Sequence, residues 1–260
     1  MTGALRRITR LGRTEMLLLW RNRTAVVTAV LLPIGTVWFL ASLNLDAGGL
    51  SAGAFAVTGL LGFVLLYVVY YNLVTTYVAR REELVLKRLR TGEMTDAQIL
   101  AGTAVPAVVV TLVQAVLAVV AGAALLDLAV PVNLPVLLVG LAGGIVLFVL
   151  LAVVSSTFTR NVEMAQISTM PVLVVCMIGS GLVLPLQSMP DLLADVAAFL
   201  PLTPVVELVR LGWLGTTTGA DPTGFAGVFG PAVVPLLILL GWTALGVVGM
   251  RRWFRWEPRR

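Results

Sequence analysis

Leu134–Phe158 reads LPVLLVGLAGGIVLFVLLAVVSSTF, twenty-five residues without an Asp, Glu, Lys or Arg. A helix rises 1.5 Å per residue, so about 20 apolar residues cross the hydrocarbon of a bilayer. This stretch is long enough to span. Five further apolar runs accompany it: Thr24–Leu43, Ala52–Val78, Ala97–Leu126, Met164–Leu186 and Val228–Met250. Of the 260 residues, 59% are hydrophobic and 12% charged, against about 25% charged in a soluble domain. One water-soluble core cannot hide so much apolar surface, and lipid must cover the remainder.

The basic residues set the topology, because short cytoplasmic loops retain Lys and Arg. Seventeen of the 18 basic residues fall on one side of a six-span arrangement. They are Arg6, Arg7, Arg10, Arg13, Arg21 and Arg23 before the first run, then Arg80, Arg81, Lys87, Arg88 and Arg90 after the second. Arg160 follows the fourth run, and Arg251, Arg252, Arg255, Arg259 and Arg260 form the tail. The other side holds only Arg210, with Asp46, Asp127, Asp191, Asp195 and Asp221. The expectation is a multi-pass protein of a bacterial plasma membrane with both ends in the cytoplasm. Arg outnumbers Lys seventeen to one, and Ala, Val, Gly and Leu abound, as in a GC-rich bacterial genome.

Three segments between the runs have their own pattern. In residues 1–23, Leu5, Ile8, Leu11, Met16, Leu18 and Leu19 face away from Arg6, Arg7, Arg10 and Arg13 at helical spacing. That predicts an interfacial amphipathic helix, acting either as an anchor or as an elbow that moves with the first span. In loop 80–96, residues Arg81–Leu89 continue the helical period, with Glu83 and Lys87 as a favourable i,i+4 pair. Gly92 ends that helix in a turn at 91–93, and Thr95-Asp96-Ala97-Gln98 matches a capping box that restarts it. Between the fifth and sixth runs, Met189, Leu192, Leu193, Val196 and Phe199 recur around Asp191 and Asp195. Pro201 and Pro204 break the pattern, and Val205–Leu214 resumes with Glu207 and Arg210. Two short helices packed on the outer face of the bundle are expected there. The whole is a single all-α membrane domain: elbow 1–23, bundle 24–250 and basic tail 251–260.

The chain offers no catalytic constellation. It has no histidine, hence no Ser-His pair and no H-E-x-x-H zinc site. Gly179-Ser180-Gly181 lacks the spacing of a nucleophile elbow. There is no P-loop, so ATP is not expected to bind this chain, and no cofactor or metal is expected on it. The single cysteine, Cys176, lies in an apolar run and reads as a packing residue. The centres of the six runs carry no ionisable Asp, Glu, Lys or Arg, which disfavours an ion-coupled carrier. Clustering of Arg between apolar runs also argues against a nucleic-acid partner.

Neutral polarity remains inside the spans. Tyr67, Tyr70, Tyr71, Asn72 and Thr75 in the second run, Ser155 in the fourth, and Gln166 and Thr169 in the fifth could line an apolar path for a greasy substrate. Phe63, Tyr67, Tyr70 or Tyr71, and Tyr77 fall on one broad face at helical spacing. Ordinary helix packing is the alternative for each. Glu207 and Arg210, three apart, read as an ion pair, structural or part of an outer gate.

Two segments carry a family resemblance. Arg80–Pro106, RREELVLKRLRTGEMTDAQILAGTAVP, resembles the segment after the second span of bacterial ABC-2 type exporter permeases. Gly181–Arg210, GLVLPLQSMPDLLADVAAFLPLTPVVELVR, resembles that family's segment after the fifth span. The steps at Pro185–Pro190 and Leu200–Pro204 and the closing Glu207 and Arg210 carry the likeness, which is to permeases of the daunorubicin and linearmycin resistance type. Adjacent Glu82 and Glu83 without a later acidic repeat depart from the pattern. The resemblance implies two permeases, as a homodimer or with a similar partner, above two separately encoded ATPase subunits that hold ATP and magnesium. It implies that loop 80–96 docks on the ATPase through Arg81, Glu82, Glu83, Lys87, Arg88, Arg90 and Gly92. The cargo would be a hydrophobic drug, antibiotic or lipid. The alternative from the residues alone is a non-transporting membrane subunit that recruits a sensor or complex through the same loop.

Overall fold

The computed structural model describes residues 11–13, 16–17, 23–42, 52–90, 94–126, 128–182, 189–217, 222–254 and 256. The described chain is helical, without strands. Helix α1 is Arg23–Ser42, and α2 is Ala52–Val64. A π-helix, Leu65–Tyr71, joins α2 to α3, Asn72–Glu82. Then come α4 (Val85–Arg90), α5 (Asp96–Leu125), α6 (Leu134–Phe158), α7 (Val162–Gly179), α8 (Asp191–Ala198), α9 (Thr203–Leu214) and α10 (Phe229–Trp253). Most of the predicted elbow lies outside the described residues.

Among the described residues, five helical stretches are long and apolar enough to cross a membrane: Gly53–Glu82, α5, α6, α7 and α10. They coincide with five of the six runs read from the sequence. The remaining run is helical as α1, whose 20 residues reach about 30 Å, one hydrocarbon thickness. Boundaries shift by a few residues at several ends. The fifth run, expected to reach Leu186, is helical only to Gly179 and is capped at Ser180. The last runs three residues further than expected, to Trp253.

The span Gly53–Glu82 and helix α6 form the centre. Leu65, Leu66, Val69, Tyr70, Leu73, Val74, Tyr77 and Val78 bury against Leu147, Phe148, Ala152 and Val153. A second cluster joins Val57, Leu60 and Val64 of α2 to Val37 of α1 and to Ala118 and Ala121 of α5. Helices α5, α7 and α10 keep apolar side chains outward, including Val116, Ile167, Val174, Leu237 and Leu245. In a membrane, that is the surface lipid covers.

Helices α8 and α9 meet at 89°. Leu192, Leu193, Val196 and Phe199 of α8 point outward, whereas nearly all of α9 is buried against α6 and α10. So α9 packs on the bundle, while α8 turns its apolar side chains outward. The α6–α9 approach depends on missing side chains: a Cβ on Gly140 would lie 2.8 Å from Cβ of Leu208, and one on Gly212 would strike the Leu137 backbone. The two segments also share backbone bonds, Asn133 N donating to Gly212 O (2.8 Å) and Val132 N to Trp213 O (3.1 Å). Asn133 then caps α6 through Oδ1, which accepts from Val136 N at 3.0 Å.

The bundle therefore has two unlike ends. One carries α9 and the connection into α6. The other carries Arg80, Arg81, the segment Val85–Arg90, Arg160, Arg251 and Arg252, and is the basic end predicted from the charge pattern.

Candidate functional site

The basic end carries an ordered foot between α3 and α5. Continuous helix was expected over Arg81–Leu89, but the chain breaks at Glu83–Leu84. Leu84 takes a left-handed conformation, φ 59°, which costs a non-glycine residue about 1 kcal/mol or more. Its N–H donates to Arg81 O (3.1 Å), and its carbonyl accepts from Arg88 N (3.0 Å). Helix α4 thus leaves α3 at a fixed turn. Leu86 is fully buried beneath it, and Leu89 and Met94 pack beside the core. Glu82, Glu83, Lys87, Arg88 and Arg90 stay exposed. Arg80 pairs with Glu83 at 3.3 Å, and Arg90 with Asp96 at 3.3 Å. The capping box forms as read: Gln98 N donates to Thr95 Oγ1 (3.4 Å), and Thr95 N to Gln98 Oε1 (3.2 Å). Gly92, placed by the sequence in the docking set, lies outside the described residues.

Arg81 does not belong to that exposed face. It is 1% exposed, and its guanidinium donates to Ser156 O (2.9 Å) and Thr159 O at the C-terminal end of α6. A buried cation there satisfies carbonyls that have no partner within the helix and sits at the negative end of its dipole. Residues 70, 73, 74, 77, 78 and 81 keep one helical stripe, which the register against α6 turns inward, and all are buried.

A second brace comes from the tail. Trp256 is 9% exposed, packs edge-on against Phe254 with centroids 4.9 Å apart, and lies under the Arg90 guanidinium at 5.1 Å. Reading the tail as a run of basic residues missed it, because the contact is tertiary.

The residues expected along a path divide. Tyr70 and Thr169 are buried. Tyr70 Oη shares a hydrogen bond with Ser155 Oγ (3.0 Å) and its ring meets Phe148 edge-on at 6.2 Å. Thr169 donates to Ala165 O (2.7 Å). These two and Ser155 are packing groups. Tyr77, also buried, donates to Leu100 O (2.9 Å), so the single broad aromatic face does not form. Instead Phe63, Tyr67 and Tyr71 make a half-buried stripe, with centroids 4.3 Å apart for the first pair and 6.4 Å for the second. Thr75 continues it, its hydroxyl donating to Tyr71 O (3.1 Å). Asn72 and Gln166 are exposed. Most of the stripe stands on the π-helix, where Asn72 N donates back to Tyr67 O, the five-residue closure that frequently marks functional sites.

At the opposite end, Arg210 is buried in α9. It donates to Gly181 O (2.6 Å) and Thr58 Oγ1 (3.4 Å), and its guanidinium lies 5.1 Å from the Phe55 ring. It thereby ties α9 to α2 and to the turn after α7. Glu207, half-buried one turn earlier, is an electrostatic neighbour, but Arg210 directs its donors to those other elements. Among the described residues, no group of three His, Cys, Asp or Glu could hold a metal.

Residues 6–214 match the ABC-2 type transporter family. No curated protein matches the sequence.

Proposed function

The chain belongs to the ABC-2 type transporter family, and from that premise we propose an ATP-driven exporter whose membrane half this protein supplies. The permease is a multi-pass membrane component. Two copies, or one with a similar permease, would stand above two separate ATPase subunits in a bacterial plasma membrane, the basic end and both termini cytoplasmic. ATP and magnesium would be held by the ATPases. The cargo would be a hydrophobic drug, antibiotic or lipid, since the half-buried stripe Phe63, Tyr67 and Tyr71 is aromatic and uncharged.

One observation carries the proposal: α4 and the fixed turn before it keep Leu86 inward and Glu82, Glu83, Lys87, Arg88 and Arg90 outward. A lever must be stiff to transmit force, and this one is braced on α6 by Arg81 and on the tail by Trp256. Charge reversal by Glu82→Lys with Glu83→Lys should leave membrane insertion intact. It should cut co-purified ATPase, or permease-stimulated ATP hydrolysis, by at least about tenfold, the effect of about 1.4 kcal/mol. Unchanged co-purification and hydrolysis would remove the docking role.

The stripe has its own test. Tyr67→Ala with Tyr71→Ala should lower transport of a hydrophobic cargo several-fold while basal ATP hydrolysis persists. Tyr70→Phe, which loses one hydrogen bond worth about 1 kcal/mol, should transport as the parent does. Equal transport by all variants would take the path off this face.

A further inference from the structure

Beside the foot, the first turn of α5 and the last turn of α10 enclose a cavity of about 320 Å³. Its charged lining is Arg90, Asp96 and Arg251. Its apolar lining is Leu100, Met250, Phe254 and Trp256. Charged and apolar groups thus line one cavity.

The level of the cavity matters. Arg251 is the first charge after the apolar run of α10, and Asp96 is the last charge before that of α5. Two spans therefore leave hydrocarbon here, at the depth where lipid phosphates sit and where Trp and Arg concentrate. Asp96 is paired with Arg90 at 3.3 Å, so one positive charge remains. That charge is on Arg251, which has no ion-pair or hydrogen-bond partner among the described residues. Arg90 also stands over Trp256, which fixes it as part of the wall.

We infer that this cavity binds the phosphodiester headgroup of an anionic phospholipid, its phosphate on Arg251 and its glycerol and upper chains on Leu100 and Met250. The inference rests on the basic end facing the membrane surface, as proposed above, but on neither the ATPase nor the cargo. Because the cavity adjoins the foot, an occupied headgroup would stiffen the joint of α4 and α10.

The test uses the full chain purified in detergent and titrated with phosphatidylglycerol, phosphatidylcholine or inorganic phosphate, with bound lipid counted by native mass spectrometry. Phosphatidylglycerol should bind more tightly than phosphatidylcholine, and millimolar inorganic phosphate should not displace it. Arg251→Gln should weaken phosphatidylglycerol binding about fivefold, the contribution of one interfacial cation. Arg251→Lys should retain it, and Arg160→Gln, at the same end outside the cavity, should bind as the parent does. Equal binding of the two lipids, or full affinity in Arg251→Gln, would overturn the assignment. Displacement by inorganic phosphate would overturn the lipid as its source. Because these arms need neither ATP nor transport, their failure is separable from failure of the exporter proposal.

Discussion

Arg81→Leu is expected to destabilise the protein by about 3 kcal/mol, the loss of two charge-assisted hydrogen bonds with their carbonyls left buried. Arg81 is 1% exposed and donates to Ser156 O and Thr159 O. Leu fills similar volume and removes the cost of burying a charge, which offsets part of the loss. It cannot satisfy the carbonyls, and it removes a cation from the C-terminal end of α6. Arg81→Lys should recover only part, since a point charge does not reproduce the planar fork that reaches two carbonyls. The measurement is available in the chain itself: Cys176 is the single cysteine and is buried, so a thiol-reactive dye reports unfolding. A midpoint for Arg81→Leu matching the parent within about 0.5 kcal/mol, the range of ordinary surface changes, would show that Arg81 holds nothing. The variant that still assembles should also hydrolyse ATP with its partner while transporting less, because the foot would no longer pull on α6.

The second large effect is at the crossing of α9 with α6. Gly212→Ala should cost about 3 kcal/mol, at the upper end for overpacking. The added Cβ would meet the backbone of Leu137, and backbone cannot rotate away as a side chain can. Neither strand of the contact is free to retreat, because Gly212 O and Trp213 O accept from Asn133 N and Val132 N. Gly230→Ala, where an added Cβ meets nothing within 4 Å, should stay within about 0.5 kcal/mol of the parent. If both alanines melt together by the same dye assay, the close crossing is not what holds α9.

Much of this fold was legible before any coordinates. Long uncharged runs have no stable form in lipid except helices, and the arginine partition marked one end. The Thr95–Gln98 box and the bend after Phe199 follow from local chemistry, a hydroxyl with an amide three residues on and a proline. Three things were not legible. Leu84 does not announce a left-handed turn, since tertiary packing of Leu86 and Leu89 imposes it. LLYVVYY reads as one apolar run whether wound as α or π. The placement of Arg81 inside and Glu82 outside needs the register of α3 against α6. Counting Arg81 by its charge put it on the docking face, whereas its place on the stripe with Tyr77 and Val78 decides the outcome.

The π-helix has one more consequence. Above it, Val57, Leu60 and Val64 bury against α1 and α5; below it, Arg81 reaches the end of α6 while Tyr77 bonds Leu100 of α5. The two halves of one span thus present different faces to the bundle, and the wide turn sets the offset between them. Excising a single residue from Leu65–Tyr71 would let the wide turn close as ordinary α-helix and keep both halves on their partners, whereas excising one from α3 ahead of Arg81 would turn Arg81 by about 100° toward lipid.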